Sequence, residues 1–246
     1  MQEIATLCFW GFFSIFSEIL DMDELERQDL AEILKFTHMS NITKTIKLLK
    51  DRHLAVADLR QLVYNDALNA NEVNHLQKVI EKHYWLFGEQ FNLVTAAEPN
   101  FEEALRRHLH FLHKEYDDET IEHPDKLKQM DIFAVRQDIA HKRYNNIVVE
   151  LKHPNIALGE TQLSQVKKYM SVILSNEHFN ADNMTWEFYL VGNRFAKTGF
   201  IDGEIEINKN HGEPHLVYRV KQCKIYVMRW SEVFAEFDMR HSHLSD

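Results

Sequence analysis

The spacing of hydrophobic positions changes partway along this chain, and the change marks where helices give way to strands. Leu25, Leu30, Ile33, Leu34 and Phe36 fit the stripe of an amphipathic helix, and Ser40-Asn41 offers a cap before Ile42, Ile46 and Leu49. A further helix is expected through Val56, Leu59, Leu62 and Val63, and Asn71 can cap another carrying Val73, Leu76, Val79 and Ile80. After Pro99 the helical spacing resumes through Phe101, Leu105, Leu109 and Leu112. The period then shortens to that of a strand, in residues 130–135 and 146–152, with turn-forming sequence between them. Residues 160–174 return to a helical period, and 186–191, 200–207, 216–220 and 224–228 read as further strands. Ser231 is placed to cap a last helix through Val233, Phe234 and Phe237. This order predicts an α/β (α+β) fold with a mixed central sheet flanked by helices and an all-helical N-terminal region. Residues 1–70 are expected to form a helical accessory or linker region, and 71–246 the sheet-bearing domain.

Composition narrows the class. With 246 residues, 45% hydrophobic and 27% charged, the chain has room for one large core or two modest ones. Only 7 Gly and 4 Pro exclude long flexible linkers and low-complexity segments. Cys8 and Cys223 are far apart and carry no metal-binding spacing, so a reduced, cytoplasmic setting is expected. A net charge of −10 argues against coating nucleic acid over the whole surface, while leaving a locally basic cleft open. Asp21, Asp23, Glu24 and Glu26 read as a solvated helix face, whereas residues 136–168 are rich in Lys and Arg. The aromatic-rich run from Ile4 to Leu20 contains only Glu18 as a charge. It lacks the flanks of a signal peptide and falls short of the ~20 residues of a spanning helix, so it reads as a buried helix and no membrane is expected.

Candidate chemistry lies in the strand Ile147-Val148-Val149-Glu150-Leu151-Lys152. Alternate side chains share a face, which sets Val148, Glu150 and Lys152 together, with the two charges roughly 7 Å apart along the strand. Charges ending an apolar strand are costly unless paired or solvated, and a functional site supplies the reason. Asp131 is likewise out of place among Met130, Ile132 and Phe133. In a hairpin joined through Gln137 to Asn145, Asp131 and Glu150 would converge. Two carboxylates, waters and a phosphate oxygen make the hard-oxygen shell that Mg2+ prefers, with Mn2+ as a substitute. Lys152 would orient a water or neutralise charge developing on phosphate. On the following helix Gln162, Gln165 and Tyr169 share a polar face suited to a nucleic-acid backbone, where Lys167 or Lys168 can meet phosphate.

Asp131, then Glu150-Leu151-Lys152-His153-Pro154, then the glutamine-bearing helix resemble the PD-(D/E)XK nuclease superfamily. Within it, His83-Tyr84-Trp85-Leu86-Phe87-Gly88-Glu89-Gln90-Phe91 is similar to the segment that opens Shedu-type antiphage defence nuclease domains. The resemblance covers roughly residues 72–235. It implies a restriction-endonuclease-like domain over 71–246: a metal-dependent DNA endonuclease or nickase in bacterial defence, often oligomeric, with room for an upstream ATPase or sensor module. By position, Asp131 and Glu150 would be metal ligands and Lys152 the catalytic lysine, with Gln162 or Gln165 assisting. Glu89 would correspond to an acid that many members add to the metal site. Met130 stands where the motif has proline, and His83-Tyr84 where Asn-Pro is usual; neither change removes a ligand. The alternative readings are a catalytically silent nuclease-fold module binding nucleic acid or a defence partner, and a structural interaction protein docking through its aromatic start.

The remaining signals read as structural. His110 and His113, three apart, could share a helical face but lack a third ligand at zinc-like spacing, so with His108 they read as surface residues. Trp85 and Phe87 read as core anchors in preference to base-stacking platforms. Arg194 and Lys197, in a loop after a strand, either contact phosphate or are simply solvated. A Gly-rich phosphate loop and a GxSxG nucleophile are both missing from the sequence.

Overall fold

A computed structural model describes residues 17–65, 76, 78–88, 92–96, 105, 131–138 and 141–242. The chain divides into two compact units, Met1–Leu54 and Ala55–Asp246. Sequence spacing set the break at 70 and 71; the difference lies in Val56, Leu59 and Val63, which belong to the core of the larger unit. In the first unit, helix α1 (Glu24–Phe36) begins with a reciprocal cap: Asp23 accepts from the Glu26 backbone and Glu26 accepts from that of Asp23. Helix α2 (Met39–Tyr64) runs unbroken where two helices were expected, since no Gly or Pro interrupts it.

The second unit is a mixed α/β arrangement built on a six-stranded sheet. Its elements are the short helix α3 (Lys78–Lys82), a 3-10 turn (Tyr84–Phe87), β1 (Asn92–Ala96), β2 (Ile132–Asp138), β3 (Arg143–Leu151), β4 (Ala157–Leu158), α4 (Glu160–Ser175), β5 (Met184–Gly192), β6 (Arg194–Phe195), α5 (Phe200–Asn208), β7 (Leu216–Val220), β8 (Cys223–Arg229) and α6 (Trp230–Arg240). The sheet order is β1-β2-β3-β5-β8-β7, with β4 and β6 forming a separate pair. Pairs β3–β5 and β5–β8 are parallel, while β1–β2, β2–β3 and β7–β8 are antiparallel.

Both faces of the parallel centre are covered, so its strands are apolar in succession instead of alternating. Val148, Trp186, Phe188, Leu190, Ile225 and Val227 meet Leu163, Val166, Met170 and Ile173 of α4 on one face. Val149, Leu151, Val191 and Met228 meet Leu59, Val63 and the α6 residues Trp230, Val233, Phe234 and Phe237 on the other. Trp85 lies against Phe237 at 5.7 Å between ring centroids and Phe87 against Tyr189 at 5.8 Å, in the anchoring role expected of them.

Further elements of the second unit depart from expectation. Residues 200–207 form helix α5 instead of a strand. Their alternating Ile205 and Ile207 imitate a strand, but Ile201 and Ile205, four apart, pack on the core while Ile207 is exposed. Helix α6 starts at Trp230, with Arg229 at its N-cap; Glu232 accepts from the Arg229 backbone at 2.7 Å, and Ser231 is already inside. Strand β1 had no counterpart in the spacing read from sequence. The helix expected after Pro99 lies outside the described residues apart from Leu105, a buried member of the core beneath α4.

The β4–β6 pair closes over the end of β5, where Ala196 donates to the Leu158 carbonyl at 2.7 Å. Gly192 is required there by space alone: a Cβ would stand 2.7 Å from Leu158 Cδ2 and 2.9 Å from its Cγ. Because Leu158 is itself fully buried, it has little room to yield. Gly192→Ala is expected to destabilise the folded chain by about 1–3 kcal/mol, read as a lowered midpoint in urea unfolding.

Candidate functional site

The site begins with strand register. β2 pairs with β3 so that its first residue, Ile132, lies opposite Val149, which sets Asp131, just before the strand, beside the end of β3. The aspartate is anchored by the partner strand, since its Oδ2 accepts from the Leu151 backbone N–H at 2.6 Å. Along β3, Val149 and Leu151 enter the core beneath α6, while Val148 enters the one beneath α4. Glu150 follows Val148 to that second face and meets α4 there.

Glu150 is the centre of the arrangement. Its Oε1 accepts from Lys152 Nζ at 2.6 Å and from Gln165 Nε2 at 2.6 Å. Its Oε2 accepts from the Tyr169 hydroxyl at 3.0 Å, and Gln165 also donates to that hydroxyl at 3.1 Å. Asp131, Glu150 and Lys152 are 7%, 4% and 9% exposed. At that burial an ion pair is held in place by its hydrogen bonds as much as by Coulomb attraction. Burial first, then the negative charge of Glu150, and less strongly that of Asp131, hold the Tyr169 hydroxyl above the ordinary tyrosine range. Tyr169 therefore remains a neutral donor toward Glu150 at working pH.

The turn after Lys152 is tied down on both sides. Lys152 donates its backbone N–H to the Val191 carbonyl at 2.8 Å, and Asn155 donates to His153 Nδ1 at 3.1 Å. Arg194, from β6, donates to the Asn155 carbonyl at 2.8 Å. A loop cation in the sequence thus clamps the segment that follows the lysine.

Of the two glutamines, Gln165 reaches Glu150. Gln162 turns back to the helix start, where its Oε1 accepts from the Gly159 backbone at 3.0 Å. Of the two lysines, Lys167 lies over the Tyr218 ring at 4.4 Å, and Lys168 lines the open side of α4. Tyr169 completes the constellation. It had been noted only as part of a polar stripe, although its position four residues after Gln165 already implied one helical face. Glu89, Met130, His108, His110 and His113 lie outside the described residues.

Asp131 and Glu150 are buried carboxylates whose charges both act on the Tyr169 hydroxyl. Among the described residues no group of three His, Cys, Asp or Glu side chains converges on one point. Carboxylate oxygens are the kind of donor Mg2+ takes, one or two at a time beside waters and substrate oxygens. Two of them do not make a structural zinc centre, which takes four protein ligands. Cys223 offers no nucleophile, because burial pushes its thiol up to about 12.

Comparison with protein-family models, with curated proteins and with solved structures finds no match in any of the three. Among the described residues, no helix is long and apolar enough to cross a membrane.

Gln165 and Tyr169 act on one carboxylate and on each other, so their contributions to stability should not add. A double-mutant cycle with Gln165→Leu and Tyr169→Phe is expected to give a coupling of about 0.5–3 kcal/mol in denaturant unfolding. Strict additivity would show that the network is not formed in solution.

Proposed function

We propose that this chain is a metal-dependent deoxyribonuclease, an endonuclease or nickase of the PD-(D/E)XK type that resembles the Shedu antiphage domains. The observation that carries the reading is the meeting of Asp131, Glu150 and Lys152 at one end of β2 and β3, with Gln165 on Glu150. A helix following the Glu-x-Lys strand and crossing into a parallel neighbour supports a restriction-endonuclease-like arrangement.

Asp131 and Glu150 would hold the cation, which would supply an activated water and stabilise charge on the scissile phosphate. The protein's own part is positional. The Leu151 N–H fixes the Asp131 carboxylate, and Gln165 with Tyr169 fixes the plane of Glu150. Lys152 sets an ammonium beside the carboxylate pair, where it orients the attacking water and offsets negative charge growing on the phosphate oxygens. Low exposure strengthens each of these interactions over its value in water. The setting would be cytoplasmic, as the two widely separated cysteines suggest; a homo-oligomeric working form, with an upstream ATPase or sensor module as a further component, follows from the family resemblance.

Incubation with supercoiled plasmid, whose torsional stress opens unpaired stretches, and Mg2+ or Mn2+ is expected to give nicked or linear product, abolished by EDTA. Glu150→Gln and Lys152→Met should each lower the rate by at least about 100-fold with unfolding midpoints still measurable. Cleavage that survives both substitutions would overturn the assignment. Plasmid binding without cleavage by the wild type would favour the silent nuclease-fold module instead.

A further inference from the structure

The face of α4 that carries Gln165 continues outward as one wall of an open cleft of about 630 Å3, lined by Glu160, Thr161, Ser164, Gln165 and Lys168. These residues recur at three- and four-residue intervals, so they form a single ridge. From Glu160 to Lys168 the ridge is about 12 Å long at 1.5 Å per residue. The ridge is chemically joined to the site through Gln165, which lies about one turn before Lys168 and donates to both Glu150 and Tyr169. We infer that this cleft seats a single unpaired nucleic-acid strand, which Thr161, Ser164 and Lys168 hold by its phosphodiester backbone and lead to Glu150. The inference rests on the nuclease reading of that site and deepens it by naming the form of the substrate.

Three observations favour an unpaired strand over a duplex. First, the described lining is a single ridge about 12 Å long, room for about three or four phosphates at the ~3.4 Å spacing of one strand. Second, Asp131, Glu150 and Lys152 are all recessed, at less than a tenth exposed. A duplex carries its phosphates on a stiff rod with a persistence length of about 50 nm, whereas an unpaired strand bends freely enough to enter. Third, the lining balances one ammonium against one carboxylate and otherwise offers two hydroxyls and an amide. Tight duplex binding draws on about 6–10 phosphate contacts, and the charge of −10 on the chain does not supply that field. Hydroxyl and amide donors to a few phosphates suit a short single-stranded contact, with specificity left to other parts of the molecule. Glu160 at the outer rim would repel phosphate and so limit affinity.

The test separates binding from cleavage by using the full chain in EDTA, with fluorescein-labelled (dT)12 and a blunt 20-base-pair duplex as probes in fluorescence anisotropy. The (dT)12 is expected to bind at least about 10-fold tighter than the duplex. Lys168→Ala should weaken (dT)12 binding several-fold and reduce the salt slope by about 0.7, the value for one phosphate contact on a single strand. Ser164→Ala should weaken it as well, and Glu160→Gln should tighten it. These positions are exposed, so the fold should tolerate the changes, which thermal unfolding checks. Duplex binding as tight as that of (dT)12, or (dT)12 affinity unchanged in both Lys168→Ala and Ser164→Ala, would overturn the inference. Loss of the nuclease reading has a different signature: cleft-dependent strand binding with no metal-dependent cleavage. Metal-dependent cleavage with cleft-independent binding would refute the cleft alone.

Discussion

A carboxylate withdrawn from water must be met by donors, and the arrangement around Glu150 follows from that requirement. Its two oxygens receive an ammonium, an amide and a hydroxyl, from Lys152 on its own chain segment and from Gln165 and Tyr169 on α4. Removing a partner from a buried charge costs more than the partner's net contribution, because the charge is left stranded. The helix and the strand end are thereby locked together in one geometry. Asp131 is held in the same way by a backbone N–H of the facing strand.

The fold explains why this cluster sits at the end of the sheet. The middle of β3 is sealed between two apolar cores, one beneath α4 and one beneath α6. Only where the strand runs out can charged side chains meet hydrogen-bonding partners and a path to solvent. There β5 closes with Gly192, β4 and β6 cross over it, and Arg194 ties down the turn that follows Lys152. Ligand sites at the carboxyl ends of parallel strands are the general rule for open α/β sheets. The cleft along α4 opens from the same end, so substrate entry and chemistry would share one helix.

Legibility differed between elements for definite reasons. Helix α4 is visible because burial of one face imposes a period on its apolar residues, and the core strands because burial on both faces makes them short, nearly continuous apolar runs. Helix α5 was misread because β-branched residues at alternate positions carry the same short-range signal as a strand; the core contact of Ile201 and Ile205 decided the matter. The two short strands β4 and β6, with two residues each, are too brief to hold a period at all. The extra reach of α2 into the core of the larger unit depended on which surfaces were available to Val56, Leu59 and Val63, which no local pattern records.

From the sequence alone came the chemistry-bearing residues: two acids and a lysine misplaced in apolar strands, and glutamines on the next helix. Alternation along a strand was enough to put Glu150 and Lys152 on one face. The tertiary structure decided what periodicity cannot, namely which glutamine reaches Glu150 and which lysine lies on the open side of α4. Gln162 is drawn to the helix start and Lys167 to the Tyr218 ring, leaving Gln165 and Lys168 on the open side. Residues so close in sequence differ by about 100° per step around a helix axis, and the assignment turns on where the neighbouring strands lie. The placing of Asp131 beside the end of β3, where it accepts from the Leu151 N–H, likewise depends on the register of β2 against β3, which is set by the packing of both strands and not by either one.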